Sequence, residues 1–303
     1  MQSILNIFST TNRKSTAEVF SQKLKKTGVQ SHEISSEHMK GFYSSLNDIS
    51  SSPDFTSTDK ILERLVDANE FSSGPEQINL PLLGVIVETR KHPSLELVVN
   101  NFAENIKAPI QIFHGCNNLD YIMATSISDL VRSGEVHLSQ LNTDALNASS
   151  YNALLLSKRF WRLMNGRGKI LVFQTDAITC SDSDFSISDF FTYDYIGSKW
   201  KRKRPVGAII DGGNGGLSLR TWKNAYECLN RFSPSLWSAG EDGYFAFHVE
   251  LIGGKVGKCD ACARFSTQDE FLSRSWGAHK ISELKPNDKV SFLNYCPVAD
   301  FLL

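Results

Sequence analysis

No sign of charge dominates this chain. Its 32 Lys and Arg are matched by 33 Asp and Glu, a formal net charge of −1. That argues against a dedicated nucleic-acid binder, because such domains are usually basic overall. No apolar run approaches the roughly 18 to 20 residues that cross a bilayer. The opening Met1-Gln2-Ser3-Ile4-Leu5-Asn6 lacks basic residues ahead of a long apolar stretch, so neither a transmembrane segment nor a signal peptide is expected. Cysteine is scarce: six in 303 residues is too few for a disulfide scaffold. Without a secretory signal, reduced thiols are expected, in a cytoplasmic protein or one peripheral to a membrane. Tryptophan is missing from residues 1–80, and all five (Trp161, Trp200, Trp222, Trp237, Trp276) lie in the second half.

What is present is ordinary for a globular protein: 41% hydrophobic and 21% charged residues, too apolar for disorder. The length alone suggests about two domains. Residues 1–80 hold fifteen Ser and three Gly, whereas eleven of the 20 Gly fall between Gly197 and Gly257. Helices are expected over Ser15–Lys26, with Ala17, Val19, Phe20 and Leu24 on one face, and over Ser57–Asn69, with Ile61, Leu62, Leu65 and Val66 on one side. The polar stretch Ser44–Thr58 reads as a loop and Ser72-Ser73-Gly74-Pro75 as a linker. The chain therefore divides into a Ser-rich, partly helical extension, 1–79, and a larger unit, 80–303.

From Leu80 the pattern alternates between strand and helix. Leu82–Val87 is a short β-branched run suited to a buried parallel strand. A helix follows over Ser94–Ile106, then a strand over Pro109–His114, a weaker strand–helix unit to Asn142, a helix over Tyr151–Met164 and a strand over Lys169–Gln174. This predicts an α/β fold with a mixed, mostly parallel central sheet flanked by helices. Ligands in such folds bind beyond the carboxyl ends of strands. Two such ends carry polar residues, Thr89-Arg90 and Gln174-Thr175-Asp176.

Several segments could carry chemistry, each with a plainer alternative. Asp176, at a strand tip, is placed to hold a divalent cation beside phosphate oxygens, or to cap the next turn. Five of the six residues from Lys199 to Arg204 are basic, which suits phosphates or an acidic polymer, a nuclear address, or a solvated loop. Asp211-Gly212-Gly213-Asn214-Gly215-Gly216 lets the main chain approach a ligand, or simply makes a hairpin turn. In Trp237–Phe245, Glu241 and Asp242 lie beside aromatics on which a sugar ring could stack; an Asp here could act as a general base, or both acids could favour a helix N-terminus. His279 is a possible metal ligand or a structural histidine. Cys259 and Cys262 are half of a zinc set, with Cys228 and Cys296 as distant partners, or a redox pair.

Taken in order, several of these motifs form a recognisable series. Phe160-Trp161, Ile170–Cys180, Phe190–Trp200, Gly213–Arg220, Gly240–Phe245, Ala263–Ser266 and Gly277–Lys280 together resemble a little-characterised glycosyltransferase-like family, catalogued mainly as a domain of unknown function. More distantly, they resemble the β-1,4-galactosyltransferase branch of the GT-A fold. The resemblance spans about Leu80 to Pro297. It implies a metal-dependent, inverting transferase acting in glycan or polysaccharide synthesis, with a nucleotide-sugar donor (a UDP-sugar favoured) and a glycan or other hydroxyl acceptor. Asp176 and His279 would bind Mn²⁺ or Mg²⁺; the family's first acidic position is Gln174 here. Thr89, Arg90, Gln174, Thr175, Asp176 and Lys199 would contact the donor. Gly215, Gly216, Glu241, Trp237 and Tyr244 would shape the acceptor site, and Asp242 would be the base. The alternative is a transferase-like fold that binds a nucleotide sugar or glycan without turnover. In a third reading, residues 1–79 dock the unit to a partner or membrane surface.

Overall fold

A computed structural model describes residues 14–46, 52–63, 80–200 and 208–303. The expected linker Ser72–Pro75, the expected helix beyond Glu63 and the basic residues Lys201–Arg204 lie outside the described residues. The N-terminal segment supplies α1 (Thr16–Lys26), α2 (Ser36–Tyr43) and α3 (Thr58–Ile61). The larger unit continues with β1 (Leu82–Glu88), α4 (Leu95–Ile106), β2 (Ile110–His114), α5 (Leu119–Met123), α6 (Ile127–Ser133) and β3 (Val136–Gln140). Next come α7 (Ala148–Leu155), α8 (Lys158–Arg162), β4 (Lys169–Phe173), β5 (Ala177–Thr179), β6 (Tyr195–Ser198) and β7 (Asn214–Thr221). The chain ends in α9 (Trp222–Arg231), α10 (Glu241–Leu251), α11 (Cys259–Phe265), β8 (Ser266–Thr267), β9 (Gly277–His279) and α12 (Pro286–Tyr295).

The central sheet runs β3-β2-β1-β4-β7-β6. β1 is fully buried, and its side chains alternate between two apolar layers. Leu83, Val85 and Val87 face one layer, while Leu82 and Ile86 face the other. β4 repeats the pattern with Ile170 and Val172 against Leu171 and Phe173, and Phe173 stacks on Phe102 of α4 at 4.0 Å. Burying each such side chain contributes about 1.5–3 kcal/mol. Helices therefore cover both faces, as expected for a mixed α/β fold.

Three expectations are corrected. The sheet is mixed rather than mostly parallel: β1–β2, β2–β3 and β1–β4 are parallel, but β7 runs against both β4 and β6. The βα alternation stops after β4, where β5 leaves for a second sheet, β5-β9-β8, and β6 and β7 pair directly. The expected helix over Tyr151–Met164 is two helices, α7 and α8, separated at Ser157. Thiol reduction is not uniform, because Cys180 and Cys296 form a disulfide with Cα atoms 5.4 Å apart. It ties β5 to the C-terminal segment within a small cluster of Ile178, Ala278, Ile281 and Phe292.

The N-terminal helices share the core of the larger unit. Ser15 caps α1 by accepting the Glu18 N–H at 3.0 Å and donates to Glu250 at 2.5 Å. Ala17 is buried, but Val19 is 51% exposed, so the buried face of α1 is narrower than the apolar spacing suggests. Phe42 of α2, which lies within a segment without an expected helix, stacks on Phe247 of α10 at 4.6 Å. Tyr43 meets His248 of α10 at 2.9 Å. His248 Nδ1 faces the Tyr244 carbonyl at 2.7 Å. That carbonyl can only accept, so Nδ1 carries the proton and Nε2 accepts from Tyr43. Burial pushes the His248 imidazole down to about 3, which keeps it neutral.

Candidate functional site

A cavity of about 580 Å³ opens beyond the carboxyl ends of β1 and β4, the position where α/β folds bind ligands. Because β7 is antiparallel, its first residues, Asn214-Gly215-Gly216, reach the same end and form the floor. The first turns of α7 and α10 make the opposite wall.

The β1 side is built around Glu88. Its carboxylate accepts from the Arg90 backbone N–H and from two guanidinium nitrogens, at 2.8–2.9 Å. The Asn118 amide donates to the Glu88 and Arg90 carbonyls, both at 3.0 Å. Thr89 and Arg90 are thereby fixed on the cavity edge, as the sequence suggests. The Glu88 carboxylate is the first influence raising the Arg90 pKa.

The β4 side carries Gln174, Thr175 and Asp176, all on the cavity. Gln174 N–H donates to Gly216 O at 2.9 Å, extending the β4–β7 register by one residue. β5 then pairs with β9 so that Ala177 lies opposite His279. This pairing, across 102 positions of sequence, brings His279 Nε2 to 3.2 Å from Asp176 Oδ1. Both atoms are buried and neither makes a hydrogen bond. His279 Nδ1 lies 3.2 Å from Gln268 Oε1, which can only accept, so Nδ1 donates. In its neutral form the ring then presents the Nε2 lone pair to a carboxylate oxygen. Burial acts to raise the Asp176 carboxyl, but His279 and Lys280 together hold it below the usual carboxylate range. A Cβ at Gly216 would overlap His279 Nε2 and also meet Gln174 Oε1. The His279 ring and the Gln174 amide oxygen thus converge on a position where only glycine leaves room. Among the described residues no group of three His, Cys, Asp or Glu side chains that could hold a metal ion is found. Lys280 borders the cavity in the left-handed region, with φ 53°.

Glu241 and Asp242 open α10 on the far wall. Glu241 is buried and forms a two-bonded ion pair with Arg220 of β7, at 2.6 and 3.0 Å. Arg220 is completely buried, bonds Ser218 Oγ at 3.0 Å and lies between the rings of Tyr195 and Phe245. Burial acts to lower the Arg220 pKa, but the Glu241 charge and hydrogen bonds, together with Tyr195 and Tyr151, outweigh it and raise it, so the guanidinium stays protonated. Burial likewise pushes Glu241 above the usual carboxylate range, with Arg220 opposing it. A Cβ at Gly215 would overlap Glu241 Oε1. Glu241 is thus occupied by Arg220, whereas Asp242 is half-buried on the cavity and accepts the Gly243 N–H at 2.6 Å. Both acids also sit in the first helical turn, so the macrodipole role expected for them applies as well.

Other expected residues lie elsewhere. Trp237 and Tyr244 do not line the cavity. They are buried in the aromatic core, where the Tyr244 hydroxyl donates toward the Cys228 and Phe232 carbonyls. Their spacing beside two acids suited a sugar platform, but α10 turns Tyr244 inward and Trp237, ahead of that helix, packs against it. Lys199 Nζ pairs with Glu270 at 2.8 Å, away from the cavity. The zinc set does not assemble: Cys296 is in the disulfide, and the buried Cys262 thiol, pushed up to about 12 by burial, donates to Gly257 O. Conversely, Tyr151, Asn152 and Lys280 line the cavity without having been singled out. Asn147 caps α7 by accepting the Ser150 N–H at 2.9 Å, and an Asn ahead of an apolar helical run is the sequence signal for that helix start.

Residues 135–279 match the model of a family described as a protein of unknown function (DUF5672). The matched stretch contains the Gln174–Asp176 tip, the glycine floor and the Glu241-Asp242 pair, and ends at His279. No curated protein matches the chain.

Proposed function

We propose that the chain is a metal-dependent, inverting glycosyltransferase with a GT-A-like fold, taking its sugar from a nucleotide-sugar donor. The observation that supports this most is the facing pair of buried atoms without a hydrogen bond, Asp176 Oδ1 and His279 Nε2, beside a polar cavity of nucleotide size that Asp176 lines. The two atoms lie 3.2 Å apart with no hydrogen-bond partner, a gap that a cation could bridge. Oxygen and imidazole donors fit Mn²⁺ or Mg²⁺, with Gln174 Oε1 as a third donor and diphosphate oxygens to complete the shell. Gln268 orients the imidazole from behind. When bound, such an ion neutralises charge on a leaving diphosphate.

The chain's own residues then divide the work. Asp176 and His279 mark the diphosphate end, with Lys280 adding positive charge beside them. Thr89 and Arg90 hold the nucleoside end. Asp242, on the opposite wall, takes the acceptor hydroxyl proton as that oxygen forms its bond to the anomeric carbon and the carbon–phosphate oxygen bond breaks on the other side. A single base opposite the leaving group gives inversion. Arg220 holds Glu241, and with it the start of α10, so that Asp242 keeps its position. The Cys180–Cys296 disulfide favours an oxidising compartment over the cytoplasm.

The test is a thermal-shift screen of UDP-, GDP-, CMP- and dTDP-sugars with Mn²⁺, followed by product analysis on whichever donor stabilises the chain. Release of nucleotide with a product of inverted anomeric configuration by NMR is expected, and Asp242→Asn should abolish it. The reading fails if no donor stabilises the chain or is consumed. Gln174, where the resembled family has an acid, favours a second reading, a nucleotide-sugar-binding module. In that case a donor binds but is neither hydrolysed nor transferred.

A further inference from the structure

Among the described residues, three buried side-chain polar atoms without a hydrogen bond lie on or against the cavity. Asp176 Oδ1 and His279 Nε2 are two, and the Tyr151 hydroxyl is a third. The cation proposed above accounts for the first two and leaves the tyrosine unexplained. An orphaned buried hydroxyl is costly, and in a native fold it calls for a partner.

The wall around Tyr151 is rigid. It lies in the first turns of α7, whose start is capped by Asn147. The next residue, Asn152, accepts the Glu241 N–H at 3.1 Å, which ties α7 to the start of α10. Gln174 faces the hydroxyl without a hydrogen bond of normal geometry. Burial, and then the Glu241 charge, push its ionisation up, so the phenol is a neutral donor and acceptor at any ordinary pH.

We infer that the Tyr151 hydroxyl hydrogen-bonds a hydroxyl of the donor's sugar and so helps to select it; the inference rests on the proposed donor. The charges around it favour a polyol over a phosphate. Glu241 and Asp176 are both close enough to oppose its ionisation, and they would repel an anion in the same place. Arg220, the nearby cation, is already committed to Glu241. The position also fits the order of the groups. Tyr151 is near Gln174 and Asp176, at the diphosphate end, and shares the wall with Asp242, at the acceptor end. The sugar being transferred lies between those two.

Tyr151→Phe keeps the ring and removes only the hydroxyl. The probes are the nucleotide sugar that stabilises the wild-type chain in the screen above and its parent nucleotide lacking the sugar. Three results are expected together. The melting temperature of the ligand-free variant is unchanged or higher, because an orphan is removed. Affinity for the parent nucleotide with Mn²⁺ is unchanged. Affinity for the nucleotide sugar falls roughly 10-fold or more. An unchanged affinity ratio overturns the inference and leaves the proposed function standing. So does an equal loss for both ligands, which would place the hydroxyl on the phosphates. A lowered melting temperature with an unchanged ratio would make the residue purely structural. Failure of every nucleotide sugar to bind the wild-type chain overturns the proposed function, and this inference with it.

Discussion

Two acid–base contacts flank the glycine floor, and they are satisfied to very different degrees. Glu241 and Arg220 are joined by two hydrogen bonds, and Ser218 and two aromatic rings complete the guanidinium's surroundings. Asp176 and His279 face each other with both contact atoms unbonded. Each contact is adjacent to one glycine that must lack a side chain, Gly215 for the first and Gly216 for the second. The shared floor and unequal satisfaction separate their roles. A buried pair whose hydrogen bonds are complete holds the fold in register, whereas one left incomplete awaits a ligand.

The locked pair should give the largest change when broken. Arg220→Met leaves the Glu241 carboxylate buried without its partner, and the expected loss of unfolding free energy is about 3–5 kcal/mol, measured by urea denaturation. Since Glu241 opens α10, the same variant should also weaken any turnover that depends on Asp242. A loss below about 1 kcal/mol would show that water reaches the pair, and the contrast with Asp176–His279 would collapse.

A smaller, pH-dependent effect belongs to the same side of the molecule. His248 lies two turns along α10 from Glu241 and is held near 3 by burial, against about 6.5 in an unfolded chain. Below pH 6.5 the unfolded state therefore binds the extra proton, and stability falls as pH is lowered. The slope from this group approaches about 1.4 kcal/mol per pH unit, and is lost only below the folded value. Burial also lowers His114 and His137, which act in the same direction. Urea midpoints between pH 7.5 and 5 should show the fall, and His248→Gln should reduce its slope. An unchanged slope in that variant would move the acid sensitivity elsewhere.

How much of this was legible in the sequence depends on whether a local pattern carried it. The buried strands β1, β2 and β4 appear as short β-branched runs, and the polar residues at the ends of β1 and β4 do line the cavity. Gly215, Gly216 and Asp242 were likewise legible. Trp237 and Tyr244 were misplaced because aromatic spacing beside acids does not reveal which way a helix faces. The sheet's mixed direction was hidden because a strand buried on both faces looks the same whichever way its neighbour runs. The Cys180–Cys296 bond and the Arg220–Glu241 pair join distant or unrelated segments, and no local spacing announces them. Tyr151 was invisible for another reason: an orphaned hydroxyl is defined by the absence of partners, which only the folded arrangement can display.

The smallest change in stability should come from the unsatisfied pair. Asp176→Asn keeps the side-chain shape and removes a charge that has no hydrogen bond at Oδ1. It can also offer an amide N–H to His279 Nε2, which has no hydrogen-bond partner. The ligand-free chain should therefore change by no more than about 1 kcal/mol, and the sign can be favourable. The same substitution should remove nearly all Mn²⁺-dependent stabilisation by a nucleotide sugar, because a neutral amide is a poor ligand for a hard cation. The comparison of the two pairs rests on this opposition between a small folding effect and a large binding effect. A loss of several kcal/mol in the ligand-free chain would make Asp176–His279 a second structural pair, and the proposed cation would lose the observation that best supports it.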